Sequence, residues 1–565
     1  MNATGPAVAV VGGGIAGLAA ARDLVAAGAR VTVVEAGTTL GGKIRTAVVG
    51  GVGVDVGPDA FVARRPEAVD LCRAMGLGDD LVEPGTSGAA LWARGRLRRL
   101  PDGIVLGVPT RLLPLARSGI LGPAGLARAA VDLLARPPAD RGATHRRAPD
   151  GADRDGADRD EADDAVRDLV ERHLGRQVAS RLADPLIGGI NAGPTASMSA
   201  AAVFPALLHA CRSGGSLMRG LRPPTVAAAD RTAAVPPPGP MFLTVRGGLH
   251  RLVDRLADDL VRSGVTVLTS TPVECVTARH RQGHWTWQVH TPDGLITVDG
   301  LVLAVPAPVA ARLLGHVHPR VPTHGCRNGS SPGAASPTDL GDTEAAAVAQ
   351  RPETAQNPET AQNPETAQNP ETAQNPETAE PAEHHTGRLA TLLGAIDYGS
   401  VSAVTFAFSP AGTAARWRHA PGTGYLVPVE QGLLTTGVTW LSTKWPHLGG
   451  DGPVLVRMSA GRFGDDRAMR LDDAALVRRL LAELRATAGD VDDPVDAVVT
   501  RWVEAFPQYR VGHPSWVARV TALAGQAPPL ALAGAAFDGV GIPACIGSGQ
   551  RAAGEIAVRL GMGDR

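Results

Sequence analysis

The sequence predicts an α/β and α+β protein: a Rossmann-like dinucleotide-binding domain interleaved with a mixed-sheet domain and a helical module. Three observations predict it. Residues 7–36 run strand, glycine-rich turn, helix, strand. The two ends of the 565-residue chain alternate β and α patterns, whereas 165–220 and 466–489 carry apolar residues at helical spacing, as in AVRDLVERHLGRQVASRL and DDAALVRRLLAELRA. Three further stretches have compositions that no core accepts, so the folded body is shorter than the chain and comprises two or three domains.

The first element, AVAVVGGGIAGLAAARDLVAAGARVTVVEA, ends its strand at Val11 and places Gly12, Gly14 and Gly17 at the GxGxxG positions. A helix follows through Leu24, and a second strand closes at Glu35. The glycines permit a tight turn, backbone approach to a pyrophosphate, and close packing of helix on strand. The phosphates would sit on the free amides of the helix N-terminus, where the helix dipole favours negative charge. Glu35, 18 residues beyond the last glycine, stands where a carboxylate accepts hydrogen bonds from ribose hydroxyls and repels a 2′-phosphate. Just downstream, TTLGGKIRT at 38–46 adds a second glycine pair, Gly41 and Gly42, with Lys43 and Arg45 placed to reach phosphates, and VDVGPDAF at 54–61 adds another turn.

The loose stretches come next. Residues 137–164 include DGADRDGADRDEADD, dense in charge and free of apolar periodicity. Residues 221–240 carry too much proline for a long helix. Residues 323–386 contain RPETAQ at 351, three copies of NPETAQ from 357, and NPETAE at 375. A period of six suits neither a helical face nor a solenoid, and each copy has a proline and no large apolar side chain to bury.

Charge and cysteine usage exclude several classes. With 55 basic and 56 acidic side chains the net charge is -1, so no global field favours nucleic acid or an anionic membrane. Cys72, Cys211, Cys275, Cys326 and Cys545 are odd in number and far apart, which argues against a disulfide framework or a zinc site and for a reducing compartment. His173, His250, His447 and His513 show no metal-ligand spacing. No apolar run approaches the roughly 18 residues of a membrane span, and the N-terminus lacks the basic region of a signal peptide. The expectation is a cytoplasmic protein with no transmembrane segment, peripheral membrane contact being left open.

The run of VVEA, LGGK and D-x-GPD resembles the flavin-containing amine oxidase superfamily, whose members bind FAD and lay the extra glycine turn along it. In LALAGAAFDGVGIPACIGSGQRAAGEIAVRL, a strand ending at Gly534 passes through a glycine-rich turn into a helix starting near Ile542 to Cys545. The superfamily returns its last helix to the flavin ring, where the positive end stabilises negative charge. Cys545 lies within that turn and is expected to be buried and non-covalent.

Six blocks narrow the resemblance. They are GPDAFVARR at 57–65, ERHLGRQVASRLADPLIGGINAG at 171–193, MFLTVRGGLHRLVDRL at 241–256, TWLSTKWPH at 439–447, RWVEAFPQYRVGH at 501–513 and GVGIPACIGSGQRAA at 539–553. Together they are similar to the bacterial oxygen-dependent coproporphyrinogen III and protoporphyrinogen oxidases. PLIGG, KWPH and PQYRVGH discriminate best. The resemblance implies non-covalent FAD, a porphyrinogen substrate, O2 as acceptor, H2O2 as product, and ferrochelatase downstream. Protoporphyrinogen IX, another flavin amine oxidase or desaturase activity, and a non-catalytic FAD carrier or scaffold stand as alternatives. No nucleophile, metal cluster or triad is evident, which fits a reaction driven by orientation over the flavin.

Carried over residue by residue, the family's FAD contacts fall on Gly12, Gly13, Gly14, Ile15, Ala16 and Gly17, on Glu35, Ala36, Gly42 and Lys43, and on Gly57, Pro58, Asp59 and Ala60. Val273 matches the adenine position; Trp502, Val540, Gly541 and Ile542 match positions near the flavin. Asn191 replaces the family's aromatic in the PLIGG-x-x-AG element. Propionate carboxylates call for cations, and Arg64 and Arg65 are the first candidates. Arginine outnumbers lysine 53 to 2, and the two lysines, Lys43 and Lys444, both fall inside motifs. A compact ammonium differs from a guanidinium fork, so both sites are expected to need lysine itself, with Lys444 a further substrate candidate. The chain divides into an FAD-binding domain (1–88, 241–310, 501–565), a helical or substrate module (89–136, 165–220), a substrate-binding domain (387–500) and flexible insertions (137–164, 221–240, 323–386, with the repeat at 351–380).

Overall fold

A five-stranded, wholly parallel sheet organises the nucleotide-binding half, in the spatial order Thr266–Leu268, Arg30–Val34, Ala7–Val11, Gly300–Leu303, Leu530–Leu532. The computed structural model describes residues 5–135, 163–222, 240–281, 283–315 and 382–562. Strands covered on both faces read as unbroken apolar runs, and Val8, Ala9 and Val10 are fully buried. Helices Ile15–Ala26 and Ile542–Arg559 lie together on one face. They touch because Gly549 has no side chain: a methyl there would come within 2.1 Å of the Ala16 carbonyl oxygen. The other face is covered by helices Ala307–Gly315, Ala382–Gly394 and His513–Gln526 and by an antiparallel sheet of Cys275–Arg281, His284–Thr291 and Gly294–Val298. Distant parts of the chain, among them Ala382–Gly394, therefore pack around this one sheet.

The mixed sheet has seven strands in the order Asp496–Pro507, Tyr398–Phe408, Val454–Ala460, Thr435–Trp440, Gly424–Leu426, Ala90–Ala93, Arg96–Arg99. All neighbours are antiparallel except Gly424–Leu426 with Ala90–Ala93. Phe406, Phe408, Trp417, Tyr425 and Trp440 fill its core under helix Asp473–Ala488, whose N-terminus is capped by Asp472.

In the helical module the buried Asp132 carboxylate caps a short helix through the Leu217 and Met218 amides, at 3.0 Å each, and the Ser216 hydroxyl, and meets His173 Nδ1 at 3.4 Å. Residues Ala179–Gly188 wind as a wide π-helix around Pro185. Proline offers no amide to an α-helical ladder, and π turns mark sites where backbone is redirected for a purpose.

Several expected boundaries move. Ala90–Ala93 and Arg96–Arg99 belong to the mixed sheet, not the helical module, because they extend its ladder beyond Gly424–Leu426. Asp496–Pro507 also belongs there, so the nucleotide-binding part resumes only after Pro507. Residues 387–394 lie in helix Ala382–Gly394 against Ala307–Gly315, where Leu389 and Leu393 are fully buried in the nucleotide-binding half. The loose stretches are shorter at their edges. Asp163 accepts from the Ala201 and Gly512 amides, Leu221 is buried, and the helix from Ala382 begins before 386. The repeat at 351–380 lies outside the described residues, as does Cys326.

Candidate functional site

The glycine loop after the first strand leads directly into the N-terminus of helix Ile15–Ala26. Gly12 has φ +106°, and a methyl on it would clash with the Ala304 carbonyl; a methyl on Gly17 would stand 2.0 Å from the Gly12 oxygen. Both positions therefore require glycine. Gly14 is the N-cap of helix Ile15–Ala26 and offers no capping side chain, and a methyl on it would meet nothing within 4 Å. Open space thus faces the free amides of a helix N-terminus, which is what a pyrophosphate needs. The second glycine pair folds over the first: the Gly41 amide donates to Gly13 O at 2.8 Å, and Gly41 and Gly42 both take positive φ.

Glu35 accepts from the Gly13 amide through Oε2 and from the Gly37 amide through Oε1, both at 2.7 Å. Those bonds use about two of the four acceptor positions of a carboxylate. The Thr271 amide donates to Glu35 O and the Ser270 amide to Gly37 O, so the segment leading to half-buried Val273 runs beside Glu35 and exposed Ala36. Val273 precedes the strand at Cys275 rather than lying within it.

At the other end of the site, helix Ile542–Arg559 starts at Gly541, again with no capping side chain, and Val540 and Gly541 precede it on the surface side. Lys43 turns to this end: its Nζ donates to Ala505 O and lies 5.9 Å from the Phe506 ring centroid. Its side chain is exposed to solvent. Desolvation still lowers its pKa, against the opposing pull of Cys545. The Cys545 thiol is pushed up to about 11 by burial, with Lys43 pulling the other way, and burial pushes Tyr398 up to about 12. Protonated at neutral pH, Cys545 is a poor nucleophile. Trp502 stands between Arg45, whose guanidinium is 5.7 Å from its ring centroid, and Gly57.

The turn Gly57, Pro58, Asp59, Ala60 is gripped from the mixed sheet. Asp59 Oδ2 accepts from Lys444 Nζ and Trp445 Nε1, each at 2.8 Å, and Oδ1 pairs with Arg457 Nη2 at 2.8 Å. Burial alone would raise the Asp59 pKa, but Arg457 and Lys444 outweigh it and hold the carboxyl well below the usual range. Lys444 is therefore committed to Asp59 rather than presented to an open pocket. Arg64 and Arg65 are exposed, and Arg65 pairs with Glu67 at 2.6 Å beside the first turns of the C-terminal helix.

Elsewhere, two blocks with no obvious connection in the sequence meet. Gln508, from PQYRVGH, donates to the carbonyl of Asn191, in PLIGGINAG. Asn191 Nδ2 in turn donates to Ile187 O at 2.9 Å, one turn back in the π-helix. The grip of Arg457 and Trp445 on Asp59 and of Gln508 on Asn191 was missed by motif reading; only the block membership of Gln508 and Trp445 hinted at them. Among the described residues no group of three or more His, Cys, Asp or Glu could hold a metal ion, and no helix is long and apolar enough to cross a membrane.

The family model described as flavin containing amine oxidoreductase matches residues 15–328 and 370–557. The coproporphyrinogen III oxidase of Mycobacterium tuberculosis strain H37Rv is 30% identical over 548 residues, 96% of this chain and 95% of that one. The coproporphyrinogen III oxidase of Bacillus subtilis is 26% identical over 564 residues, 98% of each. A crystal structure provisionally named protoporphyrinogen oxidase, from Exiguobacterium sp. 255-15, superposes with a TM-score of 0.71 at 25% identity, covering 98% of this chain and 99% of its own. With a Rossmann-like cradle, a returning C-terminal helix and these relatives, the chain belongs to the flavin containing amine oxidoreductase family, alongside the bacterial coproporphyrinogen III oxidases.

Proposed function

We propose that this chain binds FAD without a covalent bond and oxidises coproporphyrinogen III to coproporphyrin III in the cytoplasm, with O2 as acceptor and H2O2 as product. The observation that carries the reading is the junction of Gln508 with Asn191, which brings together two of the blocks most specific to the porphyrinogen oxidases in one structure. Relatives of that name that align over nearly the whole chain support it.

Gly12, Gly13, Gly14, Ile15, Ala16 and Gly17 would hold the pyrophosphate; Glu35, Ala36 and Val273 the adenosine end; and Gly42, Lys43, Gly57, Pro58, Asp59, Ala60, Trp502, Val540, Gly541 and Ile542 the flavin end. The bound flavin supplies the two-electron acceptor that a saturated pyrrole bridge requires, three times per porphyrinogen. The protein's share is placement. The uncapped amides at Ile542 favour negative charge at their end of the cleft, and the cationic Lys43 adds to it. The pyrrole N–H gives up its proton as the ring system becomes aromatic, so no strong side-chain base is called for. Arg64 and Arg65 are the propionate candidates that remain, the Arg65 fork being shared with Glu67. A reaction that inserts metal into a porphyrin, as ferrochelatase does, would consume the product.

Protoporphyrinogen IX, with two carboxylates in place of four, is the second reading, favoured by the name of the Exiguobacterium structure. Anaerobic mixing of the FAD-loaded protein with each porphyrinogen tests both. Bleaching of the flavin by the coproporphyrinogen before the protoporphyrinogen is expected; a flavin that stays yellow with both would overturn the proposal.

A further inference from the structure

Asp59 is bound from three directions by residues of the mixed sheet and its adjoining turn. Lys444 and Trp445 share Oδ2, and Arg457 takes Oδ1. The second amino group of Arg457 donates to Gly57 O at 2.8 Å and Asp55 O at 3.0 Å, so one guanidinium clasps the turn at both ends. The three charged side chains are 14%, 15% and 10% exposed for Asp59, Lys444 and Arg457, so the cluster is largely withdrawn from solvent. From the opposite side the turn has no room to retreat. A methyl on Gly57 would lie 2.0 Å from Lys43 O and 3.3 Å from Trp502 Cζ2. Lys444 itself is fixed as the last residue of the short helix Leu441–Lys444: its carbonyl accepts from the Gly85 amide at 2.8 Å, and the next residue, Trp445, is 1% exposed.

We propose that Lys444 and Arg457 are positioning residues that act through Asp59 to set the Gly57–Ala60 turn against the flavin, and that Lys444 does not bind substrate propionates. The inference rests on the flavin reading above and deepens it by giving the lysine a task. It also explains why lysine persists in a chain that uses arginine almost everywhere else. Oδ2 already accepts from the indole of Trp445, leaving room for one compact donor, while the planar fork of Arg457 occupies Oδ1. A second fork at position 444 would have to displace the indole.

The test is FAD titration of the apoprotein, followed by its visible spectrum, for wild type, Lys444→Met, Lys444→Arg, Asp59→Asn and the double variant Asp59→Asn/Lys444→Met. Each single loss leaves a buried group uncompensated, so Lys444→Met and Asp59→Asn should each weaken FAD binding by roughly tenfold or more and shift the flavin bands. The double variant should lose much less than the product of the two, since it removes both members of one pair. Lys444→Arg should fall between wild type and Lys444→Met. At saturating FAD, Lys444→Met should lower kcat toward coproporphyrinogen III with KM unchanged. A Lys444→Met protein with wild-type FAD affinity and spectrum and a raised KM would overturn the proposal, as would strictly multiplicative losses in the double variant. If Asp59→Asn does not fold, the comparison of Lys444→Met with Lys444→Arg decides alone. FAD titration needs no substrate. A wild type that binds FAD but leaves coproporphyrinogen III unoxidised therefore removes the assigned substrate without touching this inference, and a wild type that takes up no FAD removes both.

Discussion

Gln508 Nε2 lies 3.2 Å from the carbonyl oxygen of Asn191, 317 positions earlier in the chain. The bond fixes the end of the π-helix to the segment that follows the edge strand of the mixed sheet. Ala192, the next residue, is held in the left-handed region at φ +48°, and its carbonyl accepts from the Phe463 amide. Gly193 is pressed so close that a methyl would stand 2.0 Å from Gln508 Oε1. Replacing Gln508 by Leu leaves the Asn191 carbonyl without this donor. A stability loss of about 1–2 kcal/mol is expected in denaturant titration, together with a KM for porphyrinogen several-fold higher and FAD content unchanged. A variant with an unaltered KM would separate this loop from substrate binding.

The cradle makes a sharper forecast. A methyl at Gly17 meets the Gly12 carbonyl oxygen and one at Gly549 meets that of Ala16, both inside any real contact distance. Each faces backbone that cannot swing aside. Gly17→Ala should yield protein with little or no FAD absorbance, and Gly549→Ala should lower the melting temperature by several degrees, since overpacking costs about 1–3 kcal/mol. Normal FAD loading in Gly17→Ala would contradict the assigned cradle.

Two histidines should limit stability on opposite sides of neutrality. His173 is pushed up from 6.5 to about 9, first by its hydrogen bond to Asp132 and then by Cys211. A raised pKa adds stability that is complete below 6.5 and fades as pH rises through about 9. His513 is pushed down to about 4 by burial between Tyr509 and Trp516, and its Nε2 has no partner among the described residues. There the unfolded chain binds the extra proton, so stability is full above 6.5 and falls as pH drops toward 4. Melting temperatures from pH 4 to 10 should show His513→Phe flattening the acid limb alone and His173→Ala the alkaline limb alone. Identical curves for either variant and wild type would remove that histidine from the account.

These forecasts draw on features of very different legibility. The glycines at 12, 14 and 17, the acid at 35 and the helix from Ile542 were readable because their spacing is local and each residue type answers one steric or electrostatic need. The mixed sheet was legible as a class and not in its membership. Ala90–Ala93 and Arg96–Arg99 are only four residues each; Ala90–Ala93 is recruited by Gly424–Leu426, a partner more than 300 positions away, and Arg96–Arg99 joins only by pairing back on Ala90–Ala93. Lys444 shows the same limit at the level of the site. Its rarity marked it as special, but its partner could not be read, since nothing local joins Lys444 to Asp59 or places Arg457 across from both. Helix Ala382–Gly394 was obscured by the adjacent low-complexity repeat, and only its burial against Ala307–Gly315 shows where the folded chain resumes.

That resumption defines a cleaner excision. The NPETAQ tract offers no large apolar side chain, and Leu389 and Leu393 lie beyond it. Removing 323–381, and not 323–386, should leave FAD content and turnover close to wild type, because the composition of that stretch offers little apolar side chain for a core to bury. Cutting on to 386 should cost stability by removing the first turn of the helix. A colourless or inactive product from the shorter deletion would make the tract part of the enzyme.

The central claim is the reaction, and an aerobic assay of the FAD-loaded protein with coproporphyrinogen III tests it most directly. Porphyrin fluorescence should grow well above the autoxidation rate, faster than with protoporphyrinogen IX at equal concentration, with H2O2 formed at three per porphyrin. Fluorescence that rises no faster than in a protein-free control would contradict the account.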